Sequence, residues 1–194
     1  MKKLLRSVSG LVLVAGTLAA ADTPFWVSPC DDPASGCKAG DLDLARWALA
    51  AWQSASGGRL HFVETKERSQ ALIRLVWASP TAGLYGETVA IDVKGHHGSE
   101  IYIVNTTSGI KDDLLRDTIV YLTCLHESGH ALGLQHTDQF ADIMYYFGFG
   151  GDINEYFGRY RRALANREDI RKNAGMSAAD KKHLVEKLPE FESR

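Results

Sequence analysis

Between Asp41 and Ser54 the chain reads DLDLARWALAAWQS, with Leu44, Trp47, Ala48 and Ala51 three or four positions apart and Gly57-Gly58 beyond. That spacing gathers apolar side chains on one helical face, so an amphipathic helix over 41–54 is predicted, with its tryptophans in the core. The period then shortens to two. RLHFVET (59–65) and ALIRLVW (71–77) read as strands, the second setting Ile73, Leu75 and Trp77 against Leu72, Arg74 and Val76. A glycine-punctuated stretch, GLYGETVAIDVKGHHG (83–98), has room for another strand, and SEIYIVN (99–105) is a further short one. Leu115, Ile119, Leu122 and Leu125 return to helical spacing in a long helix from about Asp112 to Leu132. The segment 148–175, with its basic run RYRRALANRE, reads as a solvated helix. Strands followed by a long helix predict an α+β fold, or a mixed sheet with helices packed on it.

The first residues follow another pattern. Lys2, Lys3 and Arg6 precede an apolar run from Val8 to Ala21 that ends in alanines, the form of an export signal cleaved before Asp22. The run is too short, and too interrupted by Ser9, Gly10, Gly16 and Thr17, for the roughly 20 apolar residues of a membrane span. Residues 1–21 are therefore read as a signal peptide and 22–194 as one domain, secreted or periplasmic, without a membrane anchor after cleavage. Lys2, Lys3 and Arg6 are three of 22 basic residues set against 24 acidic ones, so the remainder carries a net charge of about −5 and gives no reason to expect nucleic acid. Export permits disulfides. Cys30 and Cys37 could close a small loop, which leaves Cys124 as a buried free thiol in an apolar helical stretch.

The predicted long helix ends in HESGHALGLQH, residues 126–136. Positions four apart project from one helical face, so His126 and His130 can bring two imidazoles to one ion, with Glu127 beside that face. A continuing helix would carry His136 away. Gly133 can adopt the left-handed conformation that ends helices, which lets the chain turn back and present His136 as a third ligand. Three neutral nitrogens leave a divalent ion its charge and an open position, the pattern of one catalytic Zn2+ rather than a closed structural site. With 7 His and 18 Gly in 194 residues, a chance match at all five positions is on the order of one in ten thousand.

His126, Glu127, His130, Gly133 and His136 match H-E-x-x-H-x-x-G-x-x-H, so the chain resembles the metzincin zinc metallopeptidases. Met144 in ADIMYY stands where that family has its Met-turn, and its distance from His136, with Thr137 and Asp138, is most similar to the matrixin branch. The resemblance implies a twisted, mostly parallel five-stranded sheet with two long helices in an upper part (about 22–133) and a smaller lower part (about 134–194). It also implies a first strand from FWVS, an antiparallel edge strand near Gly86–Val93 on which a peptide lies extended, and a closing helix at MSAADKKHLVEKL (176–188), capped by Ser177 and Asp180. The implied reaction is hydrolysis of a peptide bond in a protein or peptide substrate by a monomeric secreted endopeptidase, with Glu127 as general base and then acid.

The chain departs from the matrixin pattern in several places. Tyr146 holds the position of a proline after the Met-turn; it is either an oxyanion stabiliser, as the astacin and serralysin branches suggest, or an aromatic wall with Tyr145, Phe147 and Phe149. Cys30, in SPCDDP, is the only candidate for an inhibitory cysteine switch, competing with the disulfide to Cys37. His96 and His97 are expected in a surface loop, and His61 and His183 are expected to have no metal role. A second function class fits the same histidines, a catalytically silent peptide-binding module stabilised by zinc, although the glutamate speaks against it.

Overall fold

The computed structural model describes residues 20–79 and 85–193. Apart from its last two residues, the expected signal peptide at 1–21 lies outside the described residues, as does the start of the glycine-punctuated stretch at 83–84. Five strands form, β1 (Asp22–Val27), β2 (His61–Glu64), β3 (Ile73–Ala78), β4 (Gly86–Val93) and β5 (His96–Val104), with four α-helices, α1 (Asp41–Ala55), α2 (Asp113–Ala131), α3 (Ile153–Arg162) and α4 (Ala178–Glu192). The strands make one sheet in the order β2-β1-β3-β5-β4. Every neighbouring pair is parallel except β4 with β5. This is the mixed α+β sheet that the metzincin resemblance implies, with β4 as its antiparallel edge.

The period-two pattern of β3 explains which face is buried: Ile73, Leu75 and Trp77 enter the core while Arg74 and Val76 stay half-covered. Leu44, Leu49 and Trp52 of α1 and Val120 and Leu125 of α2 complete the same core. The indole Nε1 of fully buried Trp52 donates to the Leu125 carbonyl at 2.9 Å and lies 3.1 Å from the Ser128 Oγ, which ties α1 to α2 one residue before the first histidine. Arg116 of α2 adds a buried ion pair with Asp41 at the start of α1, the Nη2–Oδ2 distance being 2.5 Å.

Three expectations need correction. The stretch around His96 and His97 is not a loop but the start of β5, paired in register with Val93 and Asp92. Lys94 and Gly95 alone make the connection, both in left-handed conformation (φ 55° and 86°), as a two-residue hairpin turn of the favoured twist requires. The basic helix is not solvated all round: α3 buries Tyr156, Phe157 and Tyr160, and Tyr160 stacks on Tyr121 of α2 at 5.9 Å. The closing helix α4 runs past the expected 188 to Glu192, through Pro189. Its start is as expected, a reciprocal capping box of Ser177 and Asp180. β1 begins at Asp22, three residues before FWVS.

Candidate metal centre

The Asp112 carboxylate caps α2 by accepting from the Leu114 and Leu115 amides at 3.0 and 3.1 Å. The helix carries His126, Glu127 and His130 to the floor of a cleft of about 1000 Å³ that runs beneath β4. Gly133 (φ 94°) then ends it: the Leu134 amide donates to the Gly129 carbonyl at 3.0 Å and the Gly133 amide to that of His130 at 2.9 Å, a paired closure that only a left-handed residue makes at low cost. The chain turns back and His136 faces the two helical histidines.

The Nε2 atoms of His126 and His130 lie 3.2 and 3.1 Å from the Nε2 of His136. Ligands about 2.0–2.1 Å from a tetrahedral zinc stand about 3.3 Å from one another, so the cluster has the size of a zinc site. The outward nitrogens fix the tautomers. His126 Nδ1 is 2.7 Å from the Ile143 carbonyl oxygen and His130 Nδ1 is 2.9 Å from that of Leu134. A carbonyl only accepts, so Nδ1 holds the proton in each ring and Nε2 turns a lone pair inward. Burial keeps these rings neutral, pulling His126 down to about 4 and lowering His130 and His136, the last also through the nearby His130. The Nε2 of His136 meets both inward lone pairs, so the three rings offer one nitrogen each to a common point. Among the described residues this is the one group of three or more such side chains placed to hold a metal ion.

Glu127 is buried and lines the same cleft as the three histidines, and burial pushes its carboxyl up to about 7. Its Oε2 accepts from the Thr88 hydroxyl of β4 at 2.8 Å. A Cβ on Gly86 would stand 2.6 Å from the Glu127 Cγ, so the first residue of β4 has to be bare for the carboxylate to lie where it does.

Beneath the histidines, Met144 is wholly buried, and a Cβ on Gly129 would meet its Sδ at 2.5 Å. The turn carrying Met144 is fastened from several sides. The Ile143 amide donates to the Asp180 carboxylate of α4 at 2.9 Å, the Tyr156 hydroxyl of α3 to the Asp142 carbonyl at 2.9 Å, and the Thr137 amide to the Met144 carbonyl at 2.8 Å. The Tyr146 ring lies flat on His136, centroids 4.8 Å apart and planes at 20°, with Phe149 edge-on to it. A side chain at Gly148 would collide with that ring, its Cβ falling 2.0 Å from a ring carbon. Cys30 and Cys37 are joined in a disulfide away from the site, and Cys124 is buried and free.

The family model for matrixin matches residues 38–150, more than half of the chain, including the three histidines, Glu127 and Met144. The chain belongs to the matrixins. Matrixins are zinc-dependent metallopeptidases, and the histidine cluster here has the donor set and size such an ion needs. No curated protein gives a significant match. Within this matrixin, spacing alone pointed to the three histidines, Glu127 and Gly133, whereas Met144 and Tyr146 came from resemblance. Gly86, Thr88, Tyr156 and the tie from Asp180 to the Met144 turn carry no local pattern, since each acts through the fold. Gly129, a helix-weakening residue inside α2, was the one visible signal among the missed contacts.

Proposed function

We propose that this matrixin is a zinc endopeptidase in which His126, His130 and His136 hold the ion and Glu127 is the general base. The observation that carries the reading is the convergence of three imidazoles, the Nε2 of His136 lying 3.2 and 3.1 Å from those of His126 and His130, in the same cleft as the buried carboxyl of Glu127. A zinc ion held there supplies positive charge that polarises a carbonyl and makes water more acidic. This chain's own residues do the rest. Glu127 accepts the proton of the attacking water and then delivers it to the leaving amine, a shuttle suited to a carboxyl that burial pushes up to about 7. The edge strand β4 leaves main-chain groups unpaired along the cleft, where an extended peptide can add as a further strand. Met144 packs against Gly129 between the helical histidines and its carbonyl ties down Thr137 next to His136, and Tyr146 braces His136 by stacking.

The proposal extends to the whole protein: residues 1–21 as a cleaved signal peptide, 22–194 as one monomeric catalytic domain, and a secreted or periplasmic destination. The Cys30–Cys37 disulfide supports an oxidising compartment. No helix among the described residues is long and apolar enough to cross a membrane. Cleavage of casein by the purified protein, stopped by a chelator and restored by zinc, tests the activity. Glu127→Ala should bind zinc as the parent does and lose turnover by at least about a thousandfold. Zinc binding without any cleavage by the parent protein would turn the reading toward a silent binding module.

A further inference from the structure

We propose that Thr88 is a positioning residue for Glu127, and that Thr88 and Gly86 form a slot on the edge strand that aims the carboxylate; this rests on Glu127 acting as the base. The Thr88 hydroxyl lies 2.8 Å from the Glu127 Oε2 and 2.9 Å from the Glu127 main-chain oxygen. Among the described residues it is the only hydrogen-bond donor to that carboxylate. Gly86 is two residues earlier in β4, on the same face of the strand. The space its missing Cβ leaves is filled by Glu127, whose Cγ, Oε1 and Cδ would lie 2.6, 2.8 and 2.9 Å from such an atom. One neighbour therefore holds the carboxylate by a directed bond while the other admits it by having no side chain.

A glutamate on a helix lining a cleft has several rotamers open to it, and each places its oxygens differently. The slot removes that freedom. It also links two parts of the reaction: the strand expected to align the peptide backbone is the same strand that fixes the base, so substrate and carboxylate share one frame. Threonine is common on strands for packing reasons alone, and that ordinary role predicts a different result from the one below.

The test uses the full mature chain with zinc bound and a fluorogenic peptide, comparing Thr88→Val, Thr88→Ser, Gly86→Ala and Glu127→Ala with the parent. Valine keeps the branched shape and removes the hydroxyl, with both of its contacts to Glu127. We expect Thr88→Val to lower kcat about tenfold to a hundredfold, with KM changed by less than about threefold and zinc content unaltered. Thr88→Ser should recover most of kcat, and Gly86→Ala, at a backbone conformation that alanine tolerates, should lose at least as much as valine does. Parent-like kcat in Thr88→Val overturns the proposal, as do equal losses in the valine and serine variants or losses that follow zinc content or melting temperature. If Thr88→Val does not fold, Gly86→Ala decides, and parent-like kcat there overturns the slot. Turnover surviving in Glu127→Ala would instead overturn the assignment of the base.

Discussion

His126 and His130 project from one helix, His130 oriented at the helix end and His126 by the Ile143 carbonyl of the Met144 turn, whereas His136 stands on an exposed loop. The two helical rings project from adjacent turns of α2, and the closure at Gly133 supplies the carbonyl that orients His130. His136 depends on Tyr146 stacked against it and on the Met144 turn below, which α3 and α4 fasten through Tyr156 and Asp180. The helix thus supplies the position of two rings, while the orientation of His126 and the placement of His136 come from tertiary structure. Substitutions on the helix and on the loop should fail differently.

The largest effects belong to the ligands. His130→Ala and His136→Ala should both lose measurable peptide cleavage, and both should weaken zinc binding by at least about a hundredfold in competition with a chelator. The loss should be greater for His130→Ala, because His136→Ala leaves two preorganised rings on one helix. Equal losses would remove the distinction between helix and loop. Asp180→Ala comes next. It strips the buried Ile143 amide of its acceptor and breaks the capping box of α4, so unfolding in urea should show a loss of about 3 kcal/mol together with weaker zinc binding. Parent-like zinc affinity in that variant would show that the lower part positions neither His126, through Ile143, nor His136. The smallest effect is at Tyr146. Tyr146→Phe keeps the stacked ring and should change kcat by less than about threefold, while Tyr146→Ala should weaken zinc binding about threefold to tenfold. A much larger loss of kcat in Tyr146→Phe would assign its hydroxyl to the oxyanion.

The same division explains what could be read from the sequence. The helix carrying the ligands announces itself by spacing, Gly133 by the conformation a return of His136 requires, and the start of α4 by Ser177 and Asp180 three apart. Strand β3 shows its alternation openly. The burial of α3 was hidden because Arg159, Arg161 and Arg162 dominate its composition, yet Arg159 lies over Phe140 and Tyr156, and Arg161 pairs with Asp112. The start of β5 was hidden by Gly98, which has no side chain to mark a face and lies where a Cβ would meet the Leu72 carbonyl. The bond from Asp180 to Ile143 spans 37 residues, and no local pattern reports such a contact.

X-ray absorption at the zinc edge of the purified, mature protein tests the centre most directly. Three nitrogen scatterers at about 2.0–2.1 Å with one further light atom are predicted, at one zinc per chain. A chain that takes up no zinc, or a spectrum with a sulfur scatterer or fewer than three imidazoles, would contradict the account.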